Sequence, residues 1–125
     1  MKKSAFWTLG ALLAVIPLFT LAQSARELYS DAGKSDAKVE KRLNTACQQL
    51  VKQVQTNNKE RAEAVVASLR EAQRAWLKYR EAQIQFVGMY NDIGSASARA
   101  AGLSTYNVEL TQARIKELED VPDPF

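Results

Sequence analysis

The chain is predicted to be all-α: a small antiparallel bundle of three main helices, the third broken near Gly102. Three observations carry that expectation. Apolar residues recur at helical spacing through two long segments, Val39–Val54 and Ala62–Val87. The segments are separated by short polar runs rich in Asn, Thr, Ser and Gly, which suit tight connections between antiparallel neighbours. No stretch shows the strict apolar–polar alternation of a half-buried strand.

The elements follow in order. Lys2 and Lys3 precede an uncharged, mostly apolar run from Ser4 to Leu21, and Thr20-Leu21-Ala22 offers small residues at the positions a signal peptidase reads. Residues 1–22 are therefore expected to be a cleavable signal peptide, cut before Gln23. Pro17 and the small-residue site favour cleavage over a retained anchor, so no stable membrane insertion is expected afterwards. Residues 23–35 form an entry segment, ended by Gly33. Ser35 or Asp36 caps the first main helix, whose apolar face reads Val39, Leu43, Ala46, Cys47, Leu50, Val51 and Val54. Asn57 with Glu60 makes a loose capping-box pattern for the second helix, from about Lys59 to Tyr90. Its inward stripe is Ala62, Val65, Val66, Leu69, Ala72, Gln73, Trp76, Arg80, Gln83, Ile84 and Val87. Asn91–Gly94 is a turn, and Ser95 caps the third helical region, which takes its apolar side from Leu103, Tyr106, Leu110, Ala113, Leu118 and Val121. Pro122 and Pro124 end it, leaving residues 36–121 as one domain with a 122–125 tail.

Charge is unevenly spread. Lys34–Arg80 carries 11 basic and 5 acidic residues, whereas Glu81–Phe125 carries 3 basic and 7 acidic. Within one small domain this reads as complementarity between helices. A nucleic-acid surface would instead show one-signed basic faces interleaved with aromatic residues. Cys47 is the single cysteine of the sequence, so no internal disulfide can form. Its place on an apolar face predicts a buried, inert thiol.

The chemistry available is limited. The sequence has no His, which removes the usual neutral-pH general base and the commonest metal ligand. No Gly-x-Ser-x-Gly nucleophile motif and no Gly-rich phosphate loop is present. No enzymatic activity, cofactor or metal is expected. The residues that invite attention are Asn44, Gln73, Arg80 and Arg114. Gln73, Trp76 and Arg80 share one helix face. Two readings stand open: a recognition surface around Trp76, or a part-buried polar network that fixes helix register while Trp76 fills the core. Loops at a bundle end are natural binding elements, and Met89, Tyr90 and Ile93 form the most apolar of these candidates.

Three blocks carry a resemblance to a known family. They are Leu43-Asn44 with Gln48-Gln49-Leu50; Ala72-Gln73-Arg74-Ala75-Trp76-Leu77-Lys78-Tyr79-Arg80-Glu81; and Glu109-Leu110-Thr111-Gln112-Ala113-Arg114 with Leu118 one turn on. Over roughly Asp36–Leu118 the chain resembles the lysozyme inhibitor LprI-like N-terminal domain family. The resemblance implies an all-helical, exported domain in which Leu43, Asn44, Gln73, Trp76, Leu77, Arg80, Thr111, Arg114 and Leu118 are the motif residues. It implies a periplasmic binding protein of the cell envelope, with a lysozyme as its protein partner. A structural or adaptor module binding another envelope protein is the competing expectation. The resemblance also implies cysteines where this sequence has Ile84 and Tyr106. Packing of Ile84 on Tyr106 would then stand in for a covalent link. The domain should therefore melt at the same temperature with and without a thiol reductant; a sharp drop on reduction would contradict this reading.

Overall fold

A computed structural model describes the backbone over residues 18–91 and 94–122, and side chains from Ser30 onward within those ranges. The charged start at Lys2 and Lys3, most of the apolar leader, Ile93 and Pro124 lie outside the described residues. The described residues form three helices: α1 (Leu18–Asn57), α2 (Ala62–Tyr90) and α3 (Ala96–Glu119). No strand occurs among the described residues.

Each helix end has a local cause. Asn58 N–H still donates to Val54 O at 3.0 Å, so α1 runs up to the corner. Residues 59–61 turn the chain, and α2 starts after Arg61, which makes no side-chain cap. At the far end Asn91 N–H closes α2 on Val87 O at 2.9 Å. Gly94 then takes φ +99°, a left-handed conformation that costs glycine little. Ser95 caps α3, its hydroxyl accepting from Ala98 N–H at 3.2 Å. Asp120 N–H closes α3 on Lys116 O, and Pro122 comes two residues later.

The pairing of residues gives the topology. Along α1 and α3, residue 36 meets 104 and 107, while Leu43 and Ala46 share a cluster with Ile115 and Leu118. The numbers rise together, so these two helices run parallel. Gln73 meets Arg114 and Gln83 meets Tyr106, so α2 runs antiparallel to α3. Helix α1 packs more extensively on α3 than α2 does on either. The core sits between α1 and α3: Val39, Leu43 and Ala46 against Ile115 and Leu118, with Leu50, Leu69, Trp76 and Val108 packed around them.

Four sequence expectations need correction. Residues 23–35 are part of α1 rather than an entry segment; the helix passes through Gly33, and neither Ser35 nor Asp36 starts it. The third helix is unbroken at Gly102. Nothing lies within 4 Å of a Cβ built on either glycine. Each therefore sits on an open helix face, where it costs about 1 kcal/mol relative to Ala, too little to stop a helix held by tertiary contacts. The Asn57–Glu60 capping box does not form, because Asn57 is the last residue of α1. Finally, Ala72, Ala113 and Val121 are exposed, although their spacing predicts an inward face for each.

The buried line of α3 is instead Thr111, Ile115 and Leu118, and Thr111 is 0 % exposed. Ile115 is absent from the predicted apolar side. Truncating it should be felt: Ile115→Ala is expected to lower stability by about 2–4 kcal/mol. Ala113→Gln, on the outer face, should stay within about 0.5 kcal/mol of the parent. Urea unfolding of the two variants measures both.

Candidate functional site

Trp76, Arg80 and Thr111 converge on the middle of the bundle. Arg80 projects from α2 between the other two helices. Its guanidinium lies over the Trp76 ring, 4.9 Å from the centroid. One terminal nitrogen, Nη1, donates to Glu40 Oε1 of α1 and to Thr111 Oγ1 of α3, the latter at 2.9 Å. Thr111 in turn donates to Asn107 O at 2.7 Å, so its hydroxyl both donates and accepts. A buried hydroxyl without partners would be costly; this one is satisfied on both sides.

Further polar pairs flank this centre. Toward the start of α3, Asp36 Oδ1 accepts from Asn107 Nδ2 at 3.1 Å, and Ser104 Oγ lies 3.1 Å from the same oxygen and 3.2 Å from Ala32 O. Toward its end, Arg114 Nε donates to Gln73 Oε1 at 3.1 Å and its Nη1 donates to Glu117 Oε2 at 2.8 Å. Nearer the α2–α3 connection, Gln83 Nε2 donates to Tyr106 Oη at 3.3 Å.

The predicted motif residues thus fall into distinct places. Leu43, Thr111 and Leu118 are buried; Gln73, Trp76, Arg80 and Arg114 are part-buried and bonded or packed across helices. Asn44 and Leu77 face solvent, so neither joins the network. Glu40, Ser104 and Asn107, all members of the network, are not singled out by the sequence, and Asp36 enters there only as a helix cap. A signal for them exists: Asp36 and Glu40 are one helical turn apart, as are Asn107 and Thr111. Met89 and Tyr90 project from the end of α2 at 82 and 77 % exposure. Phe86 stacks on Tyr90, with ring centroids 5.9 Å apart.

The described surface carries open grooves. One, of about 430 Å³, has Leu77, Arg80, Glu81, Ile84, Gln85 and Asn107 along it. Another, of about 410 Å³, runs between α1 and α2 past Cys47, Leu69 and Gln73. Burial pushes the Cys47 thiol above its ordinary value, and the nearby Arg114 charge only partly offsets this. Cys47 is thus a poor nucleophile at neutral pH. Among the described residues no group of His, Cys, Asp and Glu side chains could hold a metal ion, and no helix is long and apolar enough to cross a membrane.

Residues 20–118 match a family described as lysozyme inhibitor LprI. The chain belongs to this family. No curated protein and no solved structure matches it. The LprI match covers nearly the whole of all three helices, so the Arg80 centre, the Gln73–Arg114 pair and the apolar floor all lie within the shared region.

The network has a measurable weight. Arg80→Met removes the donor that serves both Glu40 and Thr111 and should cost about 2 kcal/mol. Glu40→Gln keeps an acceptor for Arg80 and, being part-solvated, should cost about 0.5–1 kcal/mol. Chemical denaturation of both variants checks the order of these effects.

Proposed function

We propose that this LprI-family chain is exported to the periplasm, where it binds and inhibits a lysozyme without catalysing any reaction itself. The observation that carries this reading is the family match over residues 20–118. The scaffold supports it: Gln73, Arg80, Thr111 and Arg114 are committed to interhelical hydrogen bonds. In this reading they hold the bundle in shape, and Trp76 packs against the core. The contact surface is the far end of α2, where Met89 and Tyr90 stand free of the bundle, with Ile93 three residues further along the sequence. This end belongs to the acidic Glu81–Phe125 half of the sequence, which suits a basic partner. Rigid helices presenting apolar side chains to a cleft require little ordering on binding.

A second reading, an adaptor module for another envelope protein, draws on the exposure of Tyr79 and Phe86 along the outer side of α2. Lysis of peptidoglycan by several lysozymes, with and without the purified exported protein, separates the two. Inhibition that saturates near equimolar ratio is expected. The double variant Met89→Ala, Tyr90→Ala should weaken it about tenfold or more while the melting temperature holds. Undiminished lysis by every enzyme at large molar excess would remove the inhibitor reading.

A further inference from the structure

The outer side of α2 carries an apolar line that, among the described residues, no other helix covers. Ala72, Ala75, Tyr79, Ala82, Phe86 and Met89 alternate at spacings of three and four residues, the a and d positions of a coiled-coil seam. All six are exposed, with Tyr79 at 52 % and Phe86 at 59 %. At 100° per residue the line lies about 120° around the helix from the inward stripe of Leu69, Gln73, Trp76 and Arg80. It extends about 26 Å along the axis, and no charged residue stands on it.

The order of sizes along this line is self-complementary. Lay a second copy antiparallel so that Tyr79 faces Ala82 of that copy. Phe86 then faces Ala75, and Met89 faces Ala72. Every layer sets one large side chain against one alanine, which is how facing layers interlock at the density of a protein interior. A parallel pair would oppose Tyr79 to Tyr79 and Phe86 to Phe86, and would leave the alanine layers hollow. The antiparallel arrangement is also the one a two-fold axis generates, because each contact appears twice.

We propose that the chain self-associates through this face of α2, as an antiparallel pair whose two-fold axis passes at the level of Arg80 and Glu81. The surface is narrow, so the pairing sits at the low end of specific interfaces, with a dissociation constant on the order of micromolar or weaker. Pairing requires no lysozyme, although Met89 is common to both surfaces.

Sedimentation velocity over a range of concentrations tests the proposal. The sample is protein recovered from cells expressing the whole sequence, with its N-terminus fixed by mass spectrometry. The mass is expected to move from monomer toward dimer as concentration rises. Ala82→Glu places a carboxylate on the seam and should leave only monomer, with circular dichroism and melting unchanged. Ala75→Phe sets Phe against Phe86 and should weaken association about tenfold or more. Adding Phe86→Ala to that variant restores a large–small layer and should recover the dimer. A monomer at every concentration, or a dimer indifferent to Ala82→Glu, overturns the proposal. A dimer that the exchanged pair does not recover overturns the antiparallel register.

Discussion

The Arg80 guanidinium is where the three helices are tied together. It leaves α2, rests on the Trp76 ring of its own helix, and hands one nitrogen to both Glu40 of α1 and Thr111 of α3. A cation in this position is tolerable only because a carboxylate, a hydroxyl and an aromatic face all meet it. The consequence is register. Sliding α3 by one turn would part Thr111 from Arg80 and, in the same step, part Asn107 and Ser104 from Asp36. Apolar packing alone would resist such a slip weakly, because one aliphatic residue substitutes for another at modest cost.

Beyond Thr111, toward the α1–α2 corner, α1 and α3 meet through Leu43, Ala46, Ile115 and Leu118. Before it, toward the α2–α3 connection, they meet through Asp36, Ser104 and Asn107. Hydrogen bonds of the second kind each contribute on the order of 1 kcal/mol, and less where water competes. Phe86, Met89 and Tyr90 are exposed toward this second end. Met89 lies both on the self-complementary line and in the proposed lysozyme contact. A chain paired through α2 covers that side chain, so the paired state and the target-bound state draw on the same atoms.

Helix α2 is legible in the sequence because its inward stripe is long and regular, and because Gln73, Trp76 and Arg80 sit on it at helical spacing. The Ser95 cap is legible for a local reason: a hydroxyl beside a Gly-containing turn. Helix α3 is not, since the residues it uses against α1 include Ser104, Asn107 and Thr111. Their polarity shifts the apparent apolar face to Leu103, Tyr106, Leu110 and Ala113, and Ile115 drops out of view. Gly33 and Gly102 mislead in the opposite direction. A glycine signals a helix end only where the backbone needs a conformation other residues resist, as at Gly94. Period alone places Ala72 inward, and period cannot tell a wide buried face from a second, outward line beginning on its edge. Nor can period separate Asn44, which faces solvent, from Gln73 and Arg80, which do not.

The tie between α2 and α3 shows the consequence of building such a link without cysteines. Where the family resemblance implies a bridge, this chain has Ile84 and Tyr106, and a polar contact runs from the neighbouring Gln83 to the Tyr106 hydroxyl at 3.3 Å. A disulfide acts largely by restricting the unfolded chain, so its effect persists when the native contact opens. The Gln83–Tyr106 hydrogen bond has no such persistence; once it parts, only the chain connecting α2 to α3 links the two helix ends. A chain assembled this way needs no oxidant to reach its fold, and among the described residues the most exposed large apolar side chains, Met89 and Tyr90, stand at the end of α2 that this tie holds.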